Sequence, residues 1–308
     1  MTPPKSRRLV FLAVLLACGL SWGSTQTLGK IAVSTGHQHF GLIFWQMAIG
    51  AVFLGLITLA QGKRVPLTRA TLGFSAIIAV IGTIIPNSAF YYAVAHLPAG
   101  IMSIVISTVP LLSFPLALAL GMDRFSLPRL AGLLCGLGGV ALIALPQASL
   151  PEPGMAAFIP IALVGPLFYA CESNFVARFG TAGMDAMQAM FLTSVVGTVL
   201  SLPLALGSGQ FIDPLVSFGA PELALIASSL VHALAYSGYL WLASRAGAVF
   251  AAQSGYIVTG TGVVWAMVLL GESYSGWVWA ALALMMFGLT LVQPREARSP
   301  AIPAKEPA

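Results

Sequence analysis

Two ionisable side chains, Glu172 and His232, lie deep inside long apolar stretches of the chain. A charged side chain at bilayer depth costs about 2.5–3.5 kcal/mol on insertion scales, so each is a candidate functional group. Glu172 shares one helical face with Tyr169 and Ser173. A carboxylate on such a face could take up and release a proton, or hold the ammonium group of a substrate. The alternative is that Glu172 lies at the headgroup boundary and forms an ion pair with Arg178 or Arg245.

His232 begins a second polar face. Tyr236 and Tyr239 follow it at i+4 and i+7, and Ser228 precedes it by one turn. This spacing predicts a polar, aromatic stripe that lines a water-filled cavity, with His232 as a second candidate for proton coupling. The alternative is a neutral imidazole that bonds a neighbouring helix, because interhelical polar bonds contribute about 0.6–2 kcal/mol.

Other apolar stretches also carry polar residues that we expect to line the same cavity. Pro86 removes an intrahelical hydrogen bond just before Asn87, which favours a kink or a binding notch there. Gln46 and Gln188 either fix helix contacts or bind a ligand. The remaining candidates are Trp22, Thr25, Gln26, Tyr91, Ser103, Ser107, Gln253 and Tyr256.

One short motif suggests an enzyme. The run 19–23, Gly-Leu-Ser-Trp-Gly, matches the G-x-S-x-G pattern of serine hydrolases. That pattern acts through a strained strand-to-helix turn, whereas here it lies within an apolar helical stretch. An intramembrane serine hydrolase that uses Ser21 with His232 is therefore a remote alternative. His37 and His39 have no neighbouring carboxylate or cysteine in the sequence, so we expect no metal, no cofactor and no catalytic residue.

Ten apolar stretches must position these residues, and each is long enough to cross a bilayer as a helix. A helix of about 20 residues spans a hydrocarbon core about 30 Å thick, and its backbone bonds internally. Only 7% of the 308 residues are charged and 58% are hydrophobic. This composition, with a mean hydropathy of +0.93, excludes a soluble fold. The predicted spans are residues 9–29, 40–60, 72–95, 99–120, 127–145, 156–177, 184–206, 221–244, 247–270 and 276–292.

The connecting segments sort the basic residues by side. With the N-terminus inside and the spans alternating, thirteen of the fourteen Lys and Arg residues fall on the inner side, and Lys30 is the exception. The positive-inside rule then predicts that both termini are cytoplasmic. Glu152, Asp213, Glu222 and Glu272 fall on the outer side. The net charge of +5 therefore indicates membrane topology rather than a nucleic-acid partner.

The chain repeats itself weakly with a period of about 148 residues, since 92–95 matches 240–243 and 121–126 matches 270–275. Each repeat holds five spans, so the second must enter the membrane from the opposite face. Inverted repeats of this kind are common in secondary transporters, with a binding site near the midplane. The predicted units are a cytoplasmic segment 1–8, a first repeat 9–147, a linker 148–154, a second repeat 155–293 and a disordered cytoplasmic tail 294–308.

This pattern resembles the EamA-type branch of the drug/metabolite transporter superfamily, over about residues 8–293. The resemblance implies an all-α membrane protein with ten transmembrane helices in two inverted five-helix repeats. It also implies a central cavity lined by helices 1–4 and 6–9, and export of small metabolites or drugs without ATP. The residues that carry it are Ser21-Trp22-Gly23-Ser24, Ala95-His96-Leu97-Pro98-Ala99, Pro110-Leu111, Gly138-Gly139, Gly271-Glu272 and Gly288.

Taken together, these features predict a secondary active transporter of a bacterial-type inner membrane, working by alternating access. No phosphate-binding Gly-rich loop followed by Lys-Ser or Lys-Thr occurs in the sequence. A lining of aromatic, hydroxyl and amide side chains with few charges favours export of small neutral or zwitterionic metabolites, such as amino acids or nucleobase-like compounds. A multidrug exporter of lipophilic compounds is the alternative. The expected partners are a small-molecule substrate and membrane lipids, with proton coupling left open and no nucleic acid.

Overall fold

The computed structural model describes residues 5–146, 149–213, 218–246, 250–251 and 253–292, and these residues are helical with no strand among them. Seven of the described helices are long and apolar enough to cross a membrane, and two further apolar helices are shorter. The helices are α1 (Lys5–Ala32), α2 (His39–Ala60), α3 (Arg69–His96), α4 (Ala99–Ala119), α5 (Leu127–Ala144), α6 (Ile159–Phe179, after a 3-10 turn over Pro153–Phe158), α7 (Ala186–Gly207), α8 (Ala220–Ala246), α9 (Ser254–Leu270) and α10 (Gly276–Leu291).

The predicted all-helical class is confirmed in the described part of the chain. The bounds differ from the predicted ones by a few residues at most ends: α1 starts at Lys5 instead of residue 9, and α7 at Ala186 instead of 184. The ninth helix starts at Ser254, with Gln253 as its N-cap. Residues 247–249 and 252 of the predicted span lie outside the described residues. The predicted tail 294–308 lies outside them too.

The main contacts between helices follow the same pattern in both halves of the chain. If α1–α5 are matched in order with α6–α10, each of these main contacts between two helices has an equivalent contact between their counterparts. Helix α1 packs against α8 and α9, and its counterpart α6 packs against α3 and α4. The pairs α2–α7, α4–α9 and α5–α10 each join a helix to its own counterpart, and α2–α8 corresponds to α3–α7. Every one of these contacts joins the first half of the chain to the second. The bundle is therefore one body rather than two adjacent five-helix units.

Small residues allow the closest of these helix pairs. A Cβ atom on Gly23 would lie 2.3 Å from the Thr261 hydroxyl oxygen, where α1 crosses α9. At the α5–α10 crossing, Cβ atoms on Gly132 and Gly288 would lie 2.7 and 2.8 Å from each other's carbonyl oxygen. Backbones that approach this closely gain van der Waals contact, which drives helix association within lipid.

Helix α3 is interrupted near its centre. Residues Val80–Ile84 form a π-helical turn, and Pro86 follows in the first turn of the α-helical segment that resumes. Proline has no amide N–H, so it cannot continue the hydrogen bonding of the preceding turn. The sequence predicted a kink or notch at this point, and the structure places the irregular backbone there. Helix α4 contains a shorter irregularity, a 3-10 turn over Ile106–Thr108.

Two opposite charges fix the tight turn between α3 and α4. The Lys30 ammonium donates to the carbonyls of Ala95 and Leu97 at the end of α3, at 3.2 and 3.0 Å. The Glu272 carboxylate accepts from the amide N–H groups of Ala99 and Gly100 at the start of α4, at 2.8 and 3.1 Å. Each charge is of the sign that the adjacent helix end favours.

A tyrosine completes this contact between the halves. The Tyr274 hydroxyl donates to the Glu272 carboxylate at 2.5 Å. Burial, and then this hydrogen bond, raise the pKa of Tyr274. Gly100 leaves the space for the ring, since a Cβ atom there would lie 2.0 Å from the tyrosine oxygen. The α9–α10 loop is thereby tied to the first half of the chain.

We predict that Glu272→Ala lowers the free energy of unfolding by about 1.5–3 kcal/mol, because it leaves the start of α4 without its charged acceptor. Thermal unfolding of the purified protein in detergent measures the change. The matched control is Glu152→Ala, an exposed carboxylate whose side chain makes no cap hydrogen bond. Equal melting temperatures for the two variants would contradict this role of Glu272.

Candidate functional site

A small cavity lies among helices from both halves of the chain. Its volume is about 70 Å³, which holds about five water molecules at about 10–15 Å³ each. The cavity has two kinds of wall: polar and aromatic side chains come mainly from α1, α2, α3 and α8, whereas α4 and α6 supply mostly apolar groups. The lining residues are Thr25, Gln26, Gln46, Asn87, Phe90, Tyr91, Met102, Val105, Ile106, Ala162, Gly165, Pro166, Tyr169, Ser228 and His232.

Four of these residues form one hydrogen-bonded chain across the cavity. The Tyr169 hydroxyl donates to the Asn87 side-chain oxygen at 2.7 Å. The Asn87 amide in turn donates to the Gln46 oxygen at 3.0 Å, and the Tyr91 hydroxyl donates to the same oxygen at 3.1 Å. The chain joins α6 of the second half to α2 and α3 of the first. Within the described residues, the amide nitrogen of Gln46, a residue of the cavity wall, donates no hydrogen bond.

A second polar contact fixes the orientation of His232. The Trp22 indole N–H donates to His232 Nδ1 at 3.1 Å, so the neutral imidazole carries its proton on Nε2. Within the described part of the chain, Nε2 has no hydrogen-bond partner and is available to a ligand. The Trp22 ring also meets Tyr236 and Tyr239 edge to face, with centroids 6.1 and 6.2 Å apart.

Glu172 lies one helical turn from the cavity, on the same face of α6 as Tyr169. Both carboxylate oxygens lie over Gly82 in the π-helical turn of α3: a Cβ atom on that glycine would be 2.6 and 2.9 Å from them. Among the residues that the structure describes, Glu172 has no hydrogen bond and no ion pair, so the expected alternative of a pair with Arg178 or Arg245 is not what this conformation contains.

The other predicted lining residues lie outside the cavity wall. Ser103 and Ser107 are buried, and their hydroxyls donate to carbonyls of their own helix, at 3.2 and 2.7 Å. Ser173 lies 3.1 Å from the Ser113 hydroxyl. Gln253 is exposed at the start of α9, and Tyr256 packs beside an apolar cluster that includes Leu111. Helices α7 and α9 supply none of the described lining residues, although the resemblance implied that they would.

The geometry gives no support to a serine hydrolase. The Ser21 hydroxyl donates to the Ala17 carbonyl of its own helix at 2.6 Å, and the imidazole nitrogen of His232 that could act as a base accepts from Trp22. In the described residues no group of three or more His, Cys, Asp or Glu side chains could hold a metal ion. His37 instead contacts the Glu222 carboxylate at 2.6 Å.

Sequence reasoning placed six of the lining residues, Thr25, Gln26, Asn87, Tyr91, Tyr169 and His232, among its candidates. It did not decide whether Gln46 fixes helix contacts or binds a ligand, and it predicted none of the apolar lining residues. The signal for Gln46 was present, since it is a polar residue in the middle of an apolar helix. Apolar lining residues such as Val105 and Ala162 cannot be distinguished in sequence from residues that pack against lipid or helix.

Comparison with known proteins agrees with the resemblance found in the sequence. Residues 9–145, which contain the first five helices, match the EamA-like transporter family. The protein YedA of Escherichia coli (strain K12), described as an uncharacterized inner membrane transporter, is 25% identical over 302 residues, 97% of this chain and 95% of YedA. YedA of E. coli O6:H1 and of E. coli O157:H7 gives the same values. This chain therefore contains an EamA domain and is homologous to YedA.

A solved crystal structure has the same fold. It superposes with a TM-score of 0.61 over 92% of this chain and 97% of its own, at 20% sequence identity. At this identity the likeness concerns the fold alone. Together with the apolar helices, the homology supports a membrane transporter.

We predict that Asn87→Leu and Tyr169→Phe destabilise the protein non-additively, with a coupling of about 0.6–2 kcal/mol. Each substitution removes one side of the same buried hydrogen bond, so the double variant loses that bond only once. A double-mutant cycle of thermal unfolding measures the coupling, and Tyr92→Phe, with its ring 46% exposed, is the control partner for Asn87→Leu. Additive effects in the Asn87–Tyr169 cycle would show that the bond does not form in the folded protein.

Proposed function

We propose that this protein is a secondary carrier of small neutral or zwitterionic metabolites, working by alternating access across a bacterial inner membrane. The observation that carries the proposal is the polar cavity, to which α1–α4 of the first half and α6 and α8 of the second contribute. Alternating access requires a cavity between two halves of similar helix arrangement, because relative movement of the halves can open the cavity to either side of the membrane. The homologue YedA, an inner membrane transporter, supports the location.

The topology is part of the same proposal. Two five-helix repeats, 9–147 and 155–293, lie in the membrane in opposite orientations, and both termini face the cytoplasm. The helix pairing that survives exchange of the halves supports the repeat, and the distribution of Lys and Arg supports the orientation. Helices α9 and α10, with 17 and 16 residues, are short for a span, and a bilayer can thin locally around a short helix.

The cavity wall favours an uncharged or internally neutralised substrate. No Lys, Arg, Asp or Glu occurs among the described lining residues, so a singly charged solute would be desolvated without a counter-charge. The amide nitrogen of Gln46 and Nε2 of His232 instead offer donors to a carbonyl or carboxylate oxygen. Amino acids and nucleobase-like compounds carry such acceptors beside an apolar edge that suits the wall formed by α4 and α6. Export as the direction follows the family resemblance.

A proton gradient is the proposed energy source, with Glu172 favoured over His232 as the residue that couples to it. Protonation of His232 at Nδ1 would break its bond with the Trp22 indole. Glu172 has no bond to lose within the described chain and lies next to the interrupted part of α3. The carboxylate can therefore change its charge without disturbing the cavity's existing contacts.

One observation favours a second candidate, an exporter of lipophilic compounds. An apolar cavity of about 180 Å³ lies among α4, α5 and α6, with Thr108 as its only hydroxyl-bearing lining residue in the described part. Its lining includes Leu111, Leu137 and Leu163. An apolar molecule could enter such a cavity from the lipid. Transport of a lipophilic cation at a rate that does not change when His232 is substituted would favour this candidate.

We predict saturable flux of at least one amino acid or nucleobase into liposomes that contain only this protein, reduced roughly tenfold by His232→Phe. Loss of one donor bond to the substrate accounts for a change of this size. A thermal-shift screen of the purified protein against amino acids, purines and sugars selects the solutes, because ligands of the folded state raise its melting temperature.

The control is the same substitution at His96, an exposed imidazole stacked on Phe158 at 4.1 Å. His96→Phe should transport like the unchanged protein. Flux no greater than in protein-free liposomes for every solute tested, or equal flux through the two variants, would refute the proposed role of the cavity.

A further inference from the structure

The interrupted turn of α3 leaves backbone oxygen atoms without donors. The Ile85 N–H bonds to the carbonyl of Val80, in π-helical spacing. The carbonyl of Ile81 would next take its bond from residue 86, which is proline and has no N–H. Pro86 is also the α-helical donor that the carbonyl of Gly82 would use. Ile81 therefore has neither helical donor, and Gly82 lacks its α-helical one.

The carboxylate of Glu172 lies against this same turn. The space it occupies exists because residue 82 is glycine: a Cβ atom there would be 2.6 Å from the carboxyl carbon. The two carboxylate oxygens of Glu172 thus lie against the turn that contains the unsatisfied carbonyl of Ile81. Within the described part of the chain, neither carboxylate oxygen has a hydrogen-bond donor, and the Ile81 carbonyl has no helical one.

The position within the bundle is suited to an ion that crosses the membrane. Gly82 is 13 residues from Arg69 and 14 from His96, the two ends of α3, or about 20 Å from each at the helical rise. Glu172 and Gly82 are both partly exposed rather than sealed in the core. Broken helices near the midplane, with free carbonyls, are where coupling cations bind in carriers built from repeats.

Among the described residues, no Lys, Arg or His side chain forms an ion pair with the carboxylate. The titratable groups within its electrostatic range are Tyr169 on its own helix and Tyr236 on α8. From α4 the nearest polar group is the Ser113 hydroxyl, which pairs with Ser173, and α3 presents its backbone. A carboxylate at membrane depth is costly unless it is paired or neutralised, so we infer that a cation from solution is the missing partner.

We propose that the Glu172 carboxylate and the free carbonyl of Ile81 form a binding site for a small hard cation, either Na⁺ or a proton. Oxygen atoms without donors are the ligands that hard cations prefer. Na⁺ would be coordinated by the carboxylate and carbonyl oxygens together, whereas a proton would sit on the carboxyl group and be donated to a carbonyl. In both cases the charge of the site is cancelled and the interrupted turn is bridged to α6.

The site is connected to the cavity by covalent and hydrogen bonds. Asn87 follows Pro86 directly and accepts from Tyr169, which lies one turn before Glu172 on α6. A cation that bridges α3 and α6 at the turn thus stabilises the same two helices that Asn87 and Tyr169 join in the cavity wall. The coupling role rests on the proposed carrier function, but binding of the cation does not.

The test measures binding directly on the purified full-length chain in detergent. In the first arm, NaCl replaces choline chloride at constant ionic strength and pH, and the melting temperature is recorded. A saturable rise that is lost in Glu172→Gln indicates Na⁺. In the second arm, without Na⁺, proton uptake on mild acidification is followed with a pH dye. An uptake greater by about one proton per chain than in Glu172→Gln indicates a proton.

Two glycine variants of α3 test whether the cation effect needs the geometry of the site as well as the charge of Glu172. Gly82→Ala keeps Glu172 but fills its space, and should weaken the cation effect roughly tenfold or more. Gly73→Ala is the matched control, because a Cβ atom there meets nothing within 4 Å. Pro86→Ala restores an N–H donor for the Ile81 carbonyl and should also weaken the effect, while favouring helix formation.

The proposal is refuted if neither Na⁺ nor acidification distinguishes the unchanged protein from Glu172→Gln, or if Gly82→Ala behaves like Gly73→Ala. These outcomes are independent of the transport assay. Cation binding without solute flux would keep the site and remove the carrier function. Solute flux without cation binding would keep the carrier function and remove the cation site.

Discussion

Every backbone N–H and C=O group within hydrocarbon must find a partner inside the protein, and this constraint governs the whole molecule. Long helices satisfy it along most of the described chain. Helix α3 departs from it, because Pro86 follows a π-helical turn and the Ile81 carbonyl loses its donor. Two polar side chains of the interior lie at this departure. Asn87 lies directly after it, and the carboxylate of Glu172 lies against it.

The two halves share an arrangement of helices but carry different chemistry. At an offset of 148 residues, Tyr91 corresponds to Tyr239, whereas Pro86 corresponds to Leu234. Helix α8 accordingly continues through Ala220–Ala246 without the π-helical turn of its counterpart α3. It contributes His232, held by Trp22, to the cavity. One half thus supplies an interrupted backbone and the other an oriented side chain, so the site between them is asymmetric.

Much of this could be predicted from the sequence because its causes are local. The length of the apolar stretches predicted the helices, and Pro86 predicted the interruption of α3. Helical spacing predicted that Tyr169 shares a face with Glu172, and Tyr236 with His232. The form of the interruption, a π-helical turn, depends on how α3 packs against α6 and was not predictable. Neither was the use of Ser103 and Ser107, whose hydroxyls satisfy their own helix instead of facing the cavity.

The partners across helices were the least predictable feature. Helical spacing shows which residues share a face, but the rotation of each helix about its axis is set by packing, and packing depends on close approaches such as Gly23 to Thr261. Gln46 illustrates the limit. Its sequence position allowed either a structural contact or a ligand contact, and in the folded protein its side-chain oxygen accepts two hydrogen bonds while the residue lines the cavity.

The most direct test of the account is whether the cavity can be reached from both sides of the membrane. Gly165 lines it, and a Cβ atom there meets only the Pro86 carbonyl oxygen, at an ordinary 3.5 Å. Gly165→Cys would therefore fold, in a chain whose own Cys18, Cys135 and Cys171 have been replaced by alanine. A membrane-impermeant thiol reagent should label this cysteine when added to right-side-out vesicles and also when added to inverted ones. Labelling from one side only, under every condition of substrate and cation, would contradict alternating access.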